Sequence, residues 1–117
     1  MDLDSAIQKH SEWKMKFRTA ISKKESLDAA TIAKDNCCEL GKWLHGEAKL
    51  KFSKLASHNE CMTKHAAFHQ EAGKVAALIN AAKYSEAEAA IGSGTAYATV
   101  SSAVGVAIIK LKKEAGL

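Results

Sequence analysis

The chain has 117 residues, 47% apolar and 26% charged, which is enough to bury one core and too short for a catalytic domain beside a separate sensor. It has no proline, and its seven glycines lack the regular spacing of β-sandwich turns, so the composition points to helices. Seventeen basic against thirteen acidic residues give a net charge of +4, yet every basic residue except Arg18 is lysine, which argues against a nucleic-acid partner read through bidentate contacts.

Leu3, Ile7, His10, Phe17 and Ile21, flanked by Ala6, Trp13 and Ala20, recur at three- and four-residue steps and predict an amphipathic helix from Leu3 to Ile21. Lys9, Glu12, Lys16 and Arg18 fall mostly off that seam and need no role beyond solvation. Ser22 to Lys24 form a polar break, followed by a less regular connection through Lys34. Asn36 then reads as the N-cap of a short helix, with Glu39 three residues later completing a box-like arrangement and Gly46 ending it. Lys49 to Lys54 reads as a basic connector whose lysines form a solvated face.

A third long helix is predicted over 53–83, with Leu55, Met62, His65, His69, Ala72, Val75 or Ala76 and Ile79 on one stripe. Ser85 is placed to cap a fourth, with Glu86 and Glu88 in its first turn and Lys110, Lys112 and Lys113 closing it. Small residues in its interior, among them Gly92, Gly94, Ala98, Ser101 and Gly105, weaken helicity but allow close approach to a partner. These elements predict an all-α fold, an antiparallel four-helix bundle with one short helix that carries the cysteines, formed by a single domain over 1–117.

Ala89 to Ile109 is uncharged and long enough to span a bilayer, but Ser93, Thr95, Thr99, Ser101, Ser102 and three glycines dilute it, so no membrane span is expected. The acidic start Met1-Asp2-Leu3-Asp4 lacks a secretory signal and predicts a cytoplasmic location. Cys37, Cys38 and Cys61 are too few for a disulfide framework; thiols near histidines suggest metal or redox chemistry instead.

His65 and His69 stand one helical turn apart on an apolar stripe, so both imidazoles face inward and can converge on one ion. His10 is the one polar residue on the seam of the first helix and faces inward as well. A buried imidazole nitrogen without a partner costs desolvation energy, which a shared metal removes. Three imidazoles need a fourth donor for a closed tetrahedral zinc site, and a thiolate is the common complement. Cys61, His65 and His69 cannot all reach one ion, because eight helical residues rise about 12 Å; Cys61 could serve only in place of His69. Cys37 and Cys38 both sit at a helix N-terminus that favours a thiolate, and the residues alone do not choose between them. His45 and His58 read as surface residues.

The segments His10-Ser11-Glu12-Trp13, Cys38-Glu39-Leu40-Gly41-Lys42-Trp43 and His65-Ala66-Ala67-Phe68-His69 resemble those of the chemoreceptor zinc-binding domain, a bacterial cytoplasmic sensor module. Trp13 and Cys38 are separated by 24 residues and Trp43 and His65 by 21, spacings that fit this family, and the resemblance extends over essentially the whole chain. It implies His10, Cys38, His65 and His69 as ligands of one Zn2+, choosing Cys38 over Cys37 because Leu40, Gly41 and Trp43 follow at fixed offsets. Trp13 and Trp43 then read as apolar covers over the site, or as plain core, and Gly41 as a point of close approach or a weak helix position.

Four protein ligands leave no open coordination position, so the expected role is non-catalytic. The resemblance implies a sensory domain that controls a chemoreceptor or diguanylate cyclase output through zinc occupancy or oxidation of the ligand cysteine. The alternative is a structural module in which zinc staples a helical homodimer. A di-iron bundle is disfavoured because no expected seam position holds Glu.

Overall fold

The computed structural model describes all 117 residues, and every element is helical. Eight helices follow in order: α1 (Leu3–Ser11), α2 (Trp13–Lys23), α3 (Ala29–Ile32), α4 (Glu39–His45), α5 (Glu47–Phe52), α6 (Ala56–Asn80), α7 (Tyr84–Ala90) and α8 (Ala96–Ala115). Helices α1 and α2 meet at Glu12 and form a first rod, which buries Leu3, Ala6, His10, Phe17 and Ala20 while Ile7 and Ile21 stay half-buried. Asp2 opens this rod by accepting the Ser5 N–H at 3.1 Å.

The stretch between α2 and α6 runs back along α6 and fills the place of a second rod. Its course is set by successive contacts. Asn80 exchanges two 2.7 Å hydrogen bonds with the Leu27 backbone. Ala33 abuts Gly73, where an added Cβ would sit 2.6 Å from the Ala33 Cβ. The His69 Nδ1–H donates to the Ile32 carbonyl at 2.8 Å, Cys38 faces His65, and the His58 ring donates to the Leu44 carbonyl at 3.1 Å. Rising sequence number on the crossover thus meets falling number on α6. Helix α8 runs antiparallel to α6, because Glu114 near its end accepts both the Ser57 N–H (3.2 Å) and the Ser57 hydroxyl (2.7 Å) at the start of α6. This carboxylate supplies the cap that Leu55 cannot. The result is an antiparallel four-helix bundle in which the crossover rod is broken into short helices. One apolar cluster runs through it, from Leu3 and Phe17 through Leu40, Leu44 and Phe68 to Ile108 and Leu111.

Three expected boundaries move. Cys38, not Asn36, is the N-cap of α4: its Sγ accepts the Gly41 N–H at 3.3 Å, while the Asn36 side chain accepts from the Cys37 thiol. The basic connector folds as α5, helped by a Lys51–Glu47 pair one turn apart and by buried Ala48. The expected fourth helix is two helices. Ser85 does not cap α7, which has no side-chain cap; the chain turns over 91–95 with Gly94 at φ +77°, and Thr95 caps α8 through the Ala98 N–H. No helix is long and apolar enough to cross a membrane.

The first rod, α6 and α8 end in the same paired hydrogen-bond pattern, with a left-handed residue at the turn: Lys24, Ala82 and Gly116. Only the last is glycine. At α6, Lys83 N–H reaches the Leu78 carbonyl and Ala82 N–H the Ile79 carbonyl, with Ala82 at φ +59°. A Cβ costs about 1 kcal/mol in this conformation, so Ala82→Gly is expected to stabilise the fold by up to about 1 kcal/mol in urea unfolding. A loss of stability would show that this turn carries no strain.

Candidate metal centre

The four side chains singled out in the sequence come from three rods: His10 from α1, Cys38 from the head of α4, His65 and His69 from successive turns of α6. One donor atom of each lies within 4.8 Å of all the others. The His65 Nε2 is 3.1 Å from the His10 Nε2 and 3.0 Å from the His69 Nε2. The Cys38 Sγ lies 3.3, 3.6 and 4.0 Å from the Nε2 atoms of His65, His69 and His10.

These contacts do not form a satisfied hydrogen-bond network. His10 Nδ1 is 2.8 Å from the Ala6 carbonyl and His69 Nδ1 is 2.8 Å from the Ile32 carbonyl, so in the neutral rings both Nδ1 atoms carry the proton. Their Nε2 lone pairs therefore point at each other and at a sulfur inside a buried space. His10, His65 and His69 are 6%, 0% and 3% exposed. Only the Cys38 S–H and the one ring proton of His65 can bridge these lone pairs, whereas a cation among them engages all of them at once.

The spacing fits zinc. Zn–N bonds of about 2.05 Å and a Zn–S bond of about 2.3 Å in a tetrahedron separate nitrogen donors by about 3.3 Å and nitrogen from sulfur by about 3.55 Å. The observed nitrogen–sulfur separations of 3.3–4.0 Å bracket the second value, and the nitrogen–nitrogen separations of 3.0 and 3.1 Å fall a few tenths of an ångström short of the first. Backbone carbonyls that fix the tautomer and tilt of metal-binding imidazoles are a recurring feature of such centres. His65 differs, for its Nδ1 is buried without a partner. Its ring is held by edge contacts with His10 and His69 at centroid distances of 5.0 and 4.5 Å.

Burial sets the electrostatics. It holds the imidazoles of His10 and His69 below their ordinary pKa and drives that of His65 down to about 3, so the rings favour the neutral, metal-binding form. The Cys38 thiol is pushed above its ordinary value, again mainly by burial, although the N–H groups of Gly41, Leu40 and Cys38 itself pull the other way. The helix start therefore does not leave a free thiolate in the metal-free site, contrary to the sequence argument.

The three cysteines separate cleanly. Cys61 is fully buried, its thiol pushed up to about 12 by desolvation, and it lies outside the cluster. Cys37 is exposed and bonded to Asn36. Cys38 alone meets the histidines. His45 is exposed as expected and lies 3.0 Å from Asp35. His58, expected at the surface, is 4% exposed and ties the end of α4 to α6. The signal for it was present, since His58 lies seven residues before His65, two full turns back on the same face. Trp13 packs on Phe17 at a 5.4 Å centroid distance and borders the cavity reaching His10 and Cys38, whereas Trp43 pairs with Phe52.

Gly41 holds Cys38 in place from behind. A Cβ there would collide with the Asp35 carbonyl oxygen, and this neighbour is backbone that cannot swing aside. Gly41→Ala is expected to push α4 off the loop, lowering stability by about 1–3 kcal/mol and loosening zinc retention. Paired thermal unfolding and zinc titration check this; wild-type values for both would mean that the loop gives way freely.

A helical bundle whose rods converge three imidazoles and one thiol defines the class: a zinc-binding domain. A family model, the chemoreceptor zinc-binding domain, matches residues 10–76, beginning at His10 and taking in Cys38, His65 and His69. The chain belongs to that family, and its metal is zinc. No curated protein and no solved structure matches it.

Proposed function

We propose that the chain is a non-catalytic regulatory domain of bacterial signalling, in which His10, Cys38, His65 and His69 hold one zinc ion and report its presence, or the redox state of Cys38, to an output module. The observation that carries this reading is the convergence of four donors from three rods. Zinc supplies a divalent charge that joins those rods and keeps the Cys38 sulfur deprotonated. With every donor from protein, no position is left for substrate, which supports a sensing rather than a hydrolytic role. Cys38 sits on the most broken rod, so losing its thiolate to oxidation or protonation releases the crossover from α1 and α6. The shared apolar cluster supports one domain over 1–117. The output is a chemoreceptor or diguanylate cyclase in the cytoplasm.

The second reading is a structural staple in a homodimer. It is favoured by the uncharged outer face of α8, where Val106 and Ile109 are 53% and 43% exposed beside Ser102 and Gly105. Elemental analysis of the purified protein is expected to give one zinc per chain. Cys38→Ala is expected to lower zinc retention far more than Cys37→Ala or Cys61→Ala; equal losses in all three would refute the ligand assignment. Sedimentation with and without zinc separates the readings, since a staple makes dimerisation depend on the metal.

A further inference from the structure

The ligand cluster is sealed on the α6 side, where His65 and His69 are 0% and 3% exposed. On the other side a cavity of about 370 Å³ opens between α1 and the head of α4. His10 and Cys38 line it while His65 and His69 do not, and Ser5, Lys9, Trp13 and Glu39 form part of its wall. Across its solvent side Lys9 of α1 and Glu39, the first residue of α4, make a 2.9 Å ion pair. Both side chains are more than half exposed, so the bridge stands at the mouth and not in the core.

From this arrangement we infer that the cavity between α1 and α4 is the portal by which divalent metal and small thiol-directed molecules reach the centre, and that Lys9–Glu39 is its latch. The inference rests on the ligand assignment proposed above and adds the route and its control. Widening the portal means moving Cys38 away from His10. The Gly41 contact and the buried Leu40 and Leu44 hold α4 on its inner side. On the outer side the ion pair joins its first residue directly to α1. The latch therefore acts on the rate of exchange, with little direct effect on the ligands themselves.

The pair is exposed and screened by solvent, so its loss is expected to raise the opening rate by only about 1.4- to 5-fold. Transfer of zinc from the loaded protein to a chromogenic chelator is expected to run faster by that factor in Lys9→Gln and in Glu39→Gln. The double substitution should add nothing further, because each removes the same bridge. Reversing the pair, Lys9→Glu with Glu39→Lys, should restore the wild-type rate. High salt should accelerate wild type and leave the single variants nearly unchanged.

Ser5→Phe, which puts bulk into the cavity, should act in the opposite direction and slow the transfer several-fold. The same ordering is expected for alkylation of Cys38 by iodoacetamide in zinc-free protein carrying Cys37→Ser. Identical rates across the Lys9 and Glu39 variants would overturn the latch, and equal or faster exchange in Ser5→Phe would overturn the portal. Both results leave the ligand assignment standing. That assignment fails separately, and takes the portal with it, if wild type holds no zinc or if Cys38→Ala retains it fully.

Discussion

Stripping zinc from the protein is expected to free the crossover over 29–52 while α6 and α8 stay packed. Hydrogen exchange followed residue by residue should show amide protection in α4 and α5 falling by about 100-fold on chelation, relative to protein with free zinc at 100 times its dissociation constant. That factor is the 2.7 kcal/mol of mass-action stabilisation that binding adds at such an excess. The unevenness has a structural cause. Helix α6 buries eleven of its 25 residues, whereas α3, α4 and α5 together bury only Ile32, Leu40, Gly41, Leu44 and Ala48. In addition, the metal-free cluster is joined only by the protons that the Cys38 thiol and the His65 ring supply. Its weakest member is Cys38, which has no long helix behind it. Helix α8 needs none of this, being fixed on α6 by Val104, Ala107, Ile108 and Leu111 and by the Glu114 cap. Loss of protection across all helices at once would favour the structural staple over the switch, and unchanged protection would exclude both.

The long rods were legible because burial imposes a period. Leu3, His10 and Phe17 on the first helix, and His65, Ala72 and Ile79 on α6, repeat every seven residues and face the core as that spacing requires. An inward histidine on such a stripe is a conspicuous exception, and for this reason the gathering of His10, His65 and His69 was the most readable feature of the chain. The crossover was much less so. Its helices are too short for a period to accumulate, and its register is set by contacts distant in sequence, Asn80 on Leu27 and Gly73 on Ala33, together with the local press of Asp35 against Gly41.

The choice of Cys38 over Cys37 belongs to the same class. Adjacent residues share their local propensity and differ in which way the chain turns their side chains, and that direction depends on Gly41 pressed against Asp35. The break in the last rod is hidden in the sequence because glycine near a helical pattern is ambiguous. Gly105 lies inside α8, whereas Gly94 adopts a left-handed turn and lets Thr95 start a new helix. The carbonyls of Ala6 and Ile32, which fix two of the rings, differ in the same way. Ala6 is four residues before His10 and could have been inferred from helical geometry; Ile32 is 37 residues from His69 and could not.

Zinc loading at neutral pH is expected to expel one proton per ion, and Cys38 is its source. The three rings are already neutral there, since burial lowers all of them below 6.5 and His65 to about 3, while the thiol is raised and remains protonated. Apparent affinity should therefore rise about tenfold per pH unit between roughly pH 6.5 and 8.5. Chelator competition across that range reads the slope, and calorimetry in two buffers of different ionisation heat counts the proton. A slope near two would show a ring still charged in the free protein, and a flat profile would show a preformed thiolate; either would contradict the electrostatics of the site. Cys38→Ala should abolish the slope along with most of the affinity. The zinc-free fold should respond to acid on its own. Its buried rings titrate below the 6.5 of the unfolded chain, so the unfolded state binds more protons once pH drops under that value. Stability is complete above about pH 6.5 and declines as pH falls, with His65 contributing up to about 1.4 kcal/mol per unit on the way towards its folded value. Bound zinc adds a second dependence: its contribution falls with the same tenfold loss of affinity per unit below about pH 8.5, so the loaded protein begins to lose stability at a higher pH than the metal-free one. Urea midpoints at pH 7 and pH 5, with and without zinc, test the point: the gap between loaded and metal-free protein should narrow as protons displace the metal, while the metal-free form itself loses stability only below about pH 6.5.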